Sequence, residues 1–297
     1  MNKNVFAYIA FNLLLINLIG FDSPLLQNII SLICIGGVLT VGLAHGAIDN
    51  ILAVGQDRSK QQIFILKYLL AATGFIVLWV FLPNITFVCF LLVSGYHFGQ
   101  SQFVEYSSNN KLLSKLLYLN WGLMILFMVF YFNHEQLLLF SQNSLSDIEV
   151  FPWLINNSLV IALGLACIVF SSLIYFLVKG EIILSSIFQE FYLVALITIS
   201  FYLFDTIIGF SLFFLFIHSM RVLQQEFEFC REKMSVKSLY SFVKLFFPLT
   251  FASIFGIGAV VFLSYYLGAQ HMIPYILIVM LSSFTIPHSF VMDKFYS

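Results

Sequence analysis

Residues 25–48 read LLQNIISLICIGGVLTVGLAHGAI, a run with no Asp, Glu, Lys or Arg anywhere in it. A helix needs about 20 mostly apolar residues to cross a bilayer, so this run is predicted to be a transmembrane span. Three residues before its end stands a histidine, His45, set among Gly42, Ala44, Gly46 and Ala47. A titratable ring at that depth costs free energy unless it is hydrogen-bonded or bound to something. The segment therefore fixes the class of fold and raises a chemical question.

The rest of the chain extends the first reading. Mean hydropathy is +1.00, and 61% of the 297 residues are hydrophobic while 9% are charged, against about 25% charged in soluble domains. Spans are predicted near 5–21, 25–48, 63–82, 85–104, 113–133, 153–178, 184–204, 207–228, 241–267 and 273–293. Polar or turn-forming stretches separate them: Asp22-Ser23-Pro24, Gln56 to Gln62, Leu82-Pro83-Asn84, Ser107 to Lys111 and His134 to Pro152. Further breaks fall at Lys179-Gly180-Glu181, Asp205, Cys230 to Lys237 and Gly268 to His271. The closest junction is at Asp205, where two spans nearly touch. The first run, Val5 to Phe21, is followed by no small-residue cleavage site and is read as a retained span. The expected fold is all-α: one transmembrane helical bundle, residues 1–297, with about ten spans.

Charge supports that count. With both termini cytoplasmic, one side collects Lys3, then Arg58, Lys60 and Lys67, then Lys111 and Lys115, then Lys179. Arg221, Arg231, Lys233, Lys237, Lys244 and finally Lys294 follow on the same side. These are all 13 basic residues, as the positive-inside rule expects. The opposite loops carry acids: Asp22, Glu135, Asp147, Glu149 and Asp205. The expected location is the inner (cytoplasmic) membrane, multi-pass, with the lipid bilayer as solvent. A net charge of -1 says nothing about nucleic acid, and no basic run exists to hold it. Cys34, Cys89, Cys167 and Cys230 are scattered, form no CxxC, and read as packing residues.

Four of the six histidines, His45, His97, His218 and His288, fall on spans two, four, eight and ten. These spans run the same way, and each ring lies in the expected cytoplasmic half. His134 and His271 belong to outer loops. A lone membrane histidine is usually an interhelical hydrogen bond; four at one depth favour a shared ligand, and imidazole is the commonest transition-metal ligand. The rings of His45, His97 and His218 are expected to converge. Each histidine is flanked by small residues, which either let helices close around an ion or serve ordinary packing. Asp49, four residues beyond His45, shares its face in a continuous helix. It is either an acceptor orienting a ligand imidazole or a solvated helix-end acid. Pro287 removes a backbone donor beside His288. An imidazole set without thiolate suits iron, copper or zinc.

The strings His-Gly-Ala-Ile-Asp at 45–49, Gly-Tyr-His-Phe-Gly at 95–99, His-Ser-x-Arg at 218–221 and Pro-His at 287–288 resemble those of the Brp/Blh family. These are integral-membrane β-carotene 15,15'-dioxygenases of bacteria and archaea. The resemblance implies an iron(II) centre, Fe(2+), that uses O2 to cleave the central double bond of β-carotene into two retinal molecules, with hand-over to a rhodopsin. His45, His97 and His218 match the family's first three ligands. Where the family often has a second histidine four residues after the third ligand, this chain has Val222, so the site uses three histidines or takes His288 as its fourth. Asp49 is the second-shell candidate. With 36 Phe and 14 Tyr available for an apolar tunnel, adjacency nominates Tyr96, Phe98 and Phe290 as its walls.

Other readings of the same residues are a transporter with a proton or metal pathway, a b-type haem protein and a non-catalytic carotenoid binder. A transporter would favour an internal repeat, and none stands out. A di-iron desaturase is disfavoured because no HxxxH or HxxHH occurs.

Overall fold

The computed structural model describes residues 3–19, 23–106, 110–234 and 236–296. Within them the chain is helical and without strands. In chain order the helices are α1 (Lys3–Ile19), α2 (Pro24–Gly37), α3 (Asp49–Val54), α4 (Arg58–Phe81), α5 (Pro83–Phe103), α6 (Lys111–Phe132) and α7 (His134–Ser144). They continue with α8 (Val150–Asn156), α9 (Ser158–Val178), α10 (Leu184–Leu203), α11 (Thr206–Leu212), α12 (Met220–Met234), α13 (Leu239–Tyr266) and α14 (Ile273–Phe295). Two π-helical segments, Val38–Gly42 and Phe213–Ser219, continue α2 and join α11 to α12. A 3-10 turn at Gln270–Met272 precedes α14.

Eight helices among the described residues are long and apolar enough to cross a membrane. Each corresponds to an expected span. The other two expected spans are also helices: α1 has 17 residues, and α5 is diluted by Ser94, His97, Gln100, Ser101 and Gln102, all buried. Polar side chains inside a membrane are tolerated when they face protein, and α5 meets that condition. The junctions at Asp22 and at 107–109 lie outside the described residues.

Local chemistry sets the helix ends. Asp57 caps α4, its carboxylate accepting from the Ser59 and Lys60 amides; the Lys60 amide bond chiefly holds that carboxyl below the usual carboxylate range. Asp205 caps α11 by accepting from the Ile208 amide at 3.0 Å, which explains how two apolar helices separate across so short a junction. Gly180 takes a φ of 71° in the turn after α9, a conformation glycine adopts without strain. Expected span six is split by a turn at Asn157 into α8 and α9.

The helices gather into two compact units, Met1–Ile48 with Ser185–Ile254, and Asp49–Leu184 with Phe255–Ser297. In the first, α2 packs on α11, and the two π segments pack on each other. An added Cβ at Gly42 would come within 2.6 Å of the Phe214 ring, so this glycine permits the contact between the π segments. Side-chain amides of Asn4 and Gln224 hydrogen-bond reciprocally between α1 and α12.

In the second unit α5 packs most extensively on α6, and α14 packs on α3, α4 and α5. A Cβ at Gly99 would collide with the Tyr118 backbone carbonyl, and one at Gly122 with the Gly95 carbonyl. The glycines flanking His97 therefore serve backbone-to-backbone approach of α5 and α6, the ordinary-packing alternative for these small residues. Trp79 Nε1 donates to Ser282 Oγ at 2.8 Å, and the Tyr68 hydroxyl donates to the Phe284 carbonyl at 3.0 Å. These bonds fix α4 against α14. Pro287 sits inside α14, which stays helical through it.

Candidate metal centre

All four intramembrane histidines are buried. In the first unit, the regular helix of expected span two ends before His45. Beyond the π segment the backbone tightens to i→i+3 bonds, Gly46 N to Leu43 O and Ala47 N to Ala44 O. Residues 45–48 form a turn before α3 begins at Asp49. This corrects the shared-face reading of His45 and Asp49, which requires a continuous helix between them. His218 lies in the second π segment. The i→i+5 bonding of such a segment rotates side chains off the α-helical register, and π segments often occur at functional sites.

The rings of His45 and His218 meet edge to face, with centroids 5.2 Å apart and planes at 89°. Phe214 lies against both, 5.9 Å from His45 and 5.4 Å from His218. Val222, where the resemblance led to the expectation of a histidine, is fully buried and packs as an aliphatic side chain.

In the second unit, α5 carries His97 and α14 carries His288. Their Nε2 atoms are 3.2 Å apart. His288 Nδ1 donates to both carboxylate oxygens of Asp49 at 3.0 Å. Placing the His288 proton on Nδ1 leaves Nε2 as a lone-pair donor in the neutral ring. Carboxylate, imidazole and metal-facing nitrogen in that order form a recurrent metal-site arrangement. Imidazole nitrogens bound at about 2.0–2.2 Å to one ion lie roughly 3 Å apart when adjacent in its coordination sphere. The observed Nε2 separation fits that spacing, and the nitrogen donors fit iron(II).

The remaining sequence candidates divide. Phe98 is buried beside His97. The Tyr96 hydroxyl donates to Asp293 Oδ1 at 2.6 Å, a polar role that the tunnel reading did not foresee. Phe290 is 67% exposed. Two helical steps turn it by about 200° from His288, so it faces outward, and adjacency in sequence misplaced it. His134 and His271 lie in connecting segments, His134 Nε2 pairing with Asn156 Oδ1 at 3.0 Å. Sequence reasoning missed Tyr68, Gln100 and Asp293. For Asp293 a signal existed: an acid one turn beyond His288, inside an expected span.

Residues 36–296 match the family described as beta-carotene 15,15'-dioxygenase. The chain belongs to that family. A curated beta-carotene 15,15'-dioxygenase from an uncultured marine bacterium (66A03) is 38% identical over 71 residues, which is 22% of this chain and 26% of that protein. The chain thus matches about a quarter of this relative's length. No solved structure matches it.

Proposed function

We propose that this membrane protein cleaves β-carotene at its central 15,15' double bond with O2, giving two molecules of retinal. Family membership supports the reaction class. The observation within the molecule that carries the reading is the His97–His288 pair with Asp49 behind it, a preorganised imidazole site in a membrane protein. We assign His45, His97, His218 and His288 as iron(II) ligands, with Asp49 as the acceptor behind His288. Bound iron(II) would supply the O2-activating chemistry.

The chain's own residues have defined tasks in this reading. Asp49 holds the His288 tautomer and points Nε2 at the position His97 also addresses. Tyr68 ties α4 to α14 through its bond to the Phe284 carbonyl. The buried phenylalanines beside the rings, Phe98 and Phe214, exclude water and offer an apolar surface to a polyene. The protein would work in the cytoplasmic membrane, where an apolar carotenoid partitions, and hand retinal to a rhodopsin.

The test is expression in a β-carotene-accumulating bacterium with the pigments resolved by chromatography, alongside metal analysis of the purified protein. The expected result is loss of β-carotene, appearance of retinal and one iron per chain. Unchanged pigment with bound haem or carotenoid would sink the reading; so would cleavage products other than retinal.

A further inference from the structure

The helices carrying His97 and His288 are joined a second time, one turn from the imidazoles. Asp293 Oδ1 accepts from the Tyr96 hydroxyl at 2.6 Å and from Gln100 Nε2 at 3.0 Å. Tyr96 precedes His97 on α5, Gln100 follows it by three residues, and Asp293 follows His288 by five on α14. Gln100 is buried, and the Tyr96 ring is held edge to face against Tyr118 on α6 at 6.0 Å. One carboxylate oxygen thus gathers two donors from successive turns of α5.

Asp293 stands in the last turn of α14, which ends at Phe295. There the helix dipole opposes a negative charge, and its partial burial removes some of its hydration. An acid in this place is costly unless its bonds to α5 offset the cost. Charge-assisted bonds are the stronger kind, and two of them resist both sliding and rotation of α14 along α5.

We infer that Asp293, through Tyr96 and Gln100, is a positioning residue that sets the register of α14 against α5 and so holds His288 Nε2 opposite His97 Nε2. This rests on the assignment of those two histidines as metal ligands. Asp49 fixes which nitrogen of His288 faces the site; Asp293 fixes where along α5 that nitrogen arrives. Displacements of about 1 Å from second causes can cost up to 10²-fold in function, so the clamp matters without touching substrate or metal.

The experiment compares full-length wild type, Asp293→Ala, Asp293→Asn and Tyr96→Phe in detergent. Three quantities are read: iron(II) affinity by titration, the ligand-field absorption of the cobalt(II)-loaded protein, and the thermal midpoint of the metal-free protein. Asp293→Ala is expected to weaken iron(II) binding about tenfold and to alter the cobalt spectrum. Asp293→Asn, which keeps the accepting oxygen, should recover most of the affinity. Tyr96→Phe should show a smaller loss, and adding it to Asp293→Ala should cost little more. Should Asp293→Ala fail to fold, Tyr96→Phe and Asp293→Asn carry the test. Wild-type affinity and cobalt spectrum in every variant that folds would overturn the clamp while leaving the metal assignment intact. Wild type that takes up no iron(II) or cobalt(II) would overturn both, and that outcome is visible before any variant is compared.

Discussion

The two units present their histidines by different means. In the unit formed by Met1–Ile48 and Ser185–Ile254, the backbone directs them: His218 rides on a π segment, and His45 follows another at a turn. Their neighbours include aromatic rings, Phe214 and each other. In the other unit, α5 and α14 are regular helices, and the carboxylates of Asp49 and Asp293 accept hydrogen bonds from His288 and from Tyr96. A ring directed by backbone tolerates changes among its side-chain neighbours. A ring directed by a carboxylate depends on that one group.

Ligand removal is the largest test of this contrast. His97→Ala and His288→Ala are expected to drop retinal formation below about 1% of wild type, since deleting a ligand should exceed the roughly 10–100-fold cost of deleting its outer partner. Iron content should fall with activity, and inserted protein should remain. His45→Ala and His218→Ala are expected to do the same. Loss confined to His97 and His288 would make the other pair packing residues.

The next effect separates carboxylate from ring. Asp49→Asn should cost about 10–100-fold in iron affinity or turnover, because it weakens the bond that fixes the His288 tautomer. Phe214→Leu keeps apolar volume beside His45 and His218 and should cost only a few-fold, roughly 1 kcal/mol. Equal losses, measured as iron affinity on purified proteins, would erase the distinction between the two modes of presentation.

Packing gives a third, smaller comparison. Gly99→Ala forces a methyl into the Tyr118 backbone, so α5 and α6 must separate; overpacking of this kind costs about 1–3 kcal/mol. Gly42→Ala meets the edge of the Phe214 ring, which can rotate, and alanine recovers up to about 1 kcal/mol of helix propensity. Thermal midpoints in detergent should fall clearly for the first and little for the second. The reverse order would mean that the contact between π segments is the rigid one.

What could be read beforehand follows the same division. Spans were legible because apolar runs and breakers such as Asp205 and Lys179-Gly180-Glu181 are local in sequence. The burial of four histidines was legible because each sits inside such a run. The interruption after His45 was not: π segments and tightened turns leave no strong compositional trace, so a continuous helix placed Asp49 on the face of His45. The pairing of Asp49 with His288 joins residues 239 positions apart, and only packing of α14 on α3 brings them together. Tyr96 was singled out for its ring, whereas its hydroxyl is what the fold uses.

The smallest expected effect falls on Phe290. On α14, residues that face the interior recur at three- and four-residue steps, and His288, Val291 and Met292 are buried while Phe290 is exposed. A side chain on that outer face meets lipid in a membrane protein, and exchanging one apolar group for a smaller one there loses no protein contact worth keeping. Phe290→Ala should therefore leave retinal formation within about twofold of wild type, the size of effect expected of surface substitutions away from special features. Phe98→Ala, at a buried position beside His97, should lower it more. The two rates, taken with β-carotene at saturating and limiting supply, compare an inward with an outward phenylalanine near the same pair of ligands. A Phe290→Ala loss as large as that of Phe98→Ala would mean that the polyene approaches over the outer face of α14, and that face would then belong to the substrate path.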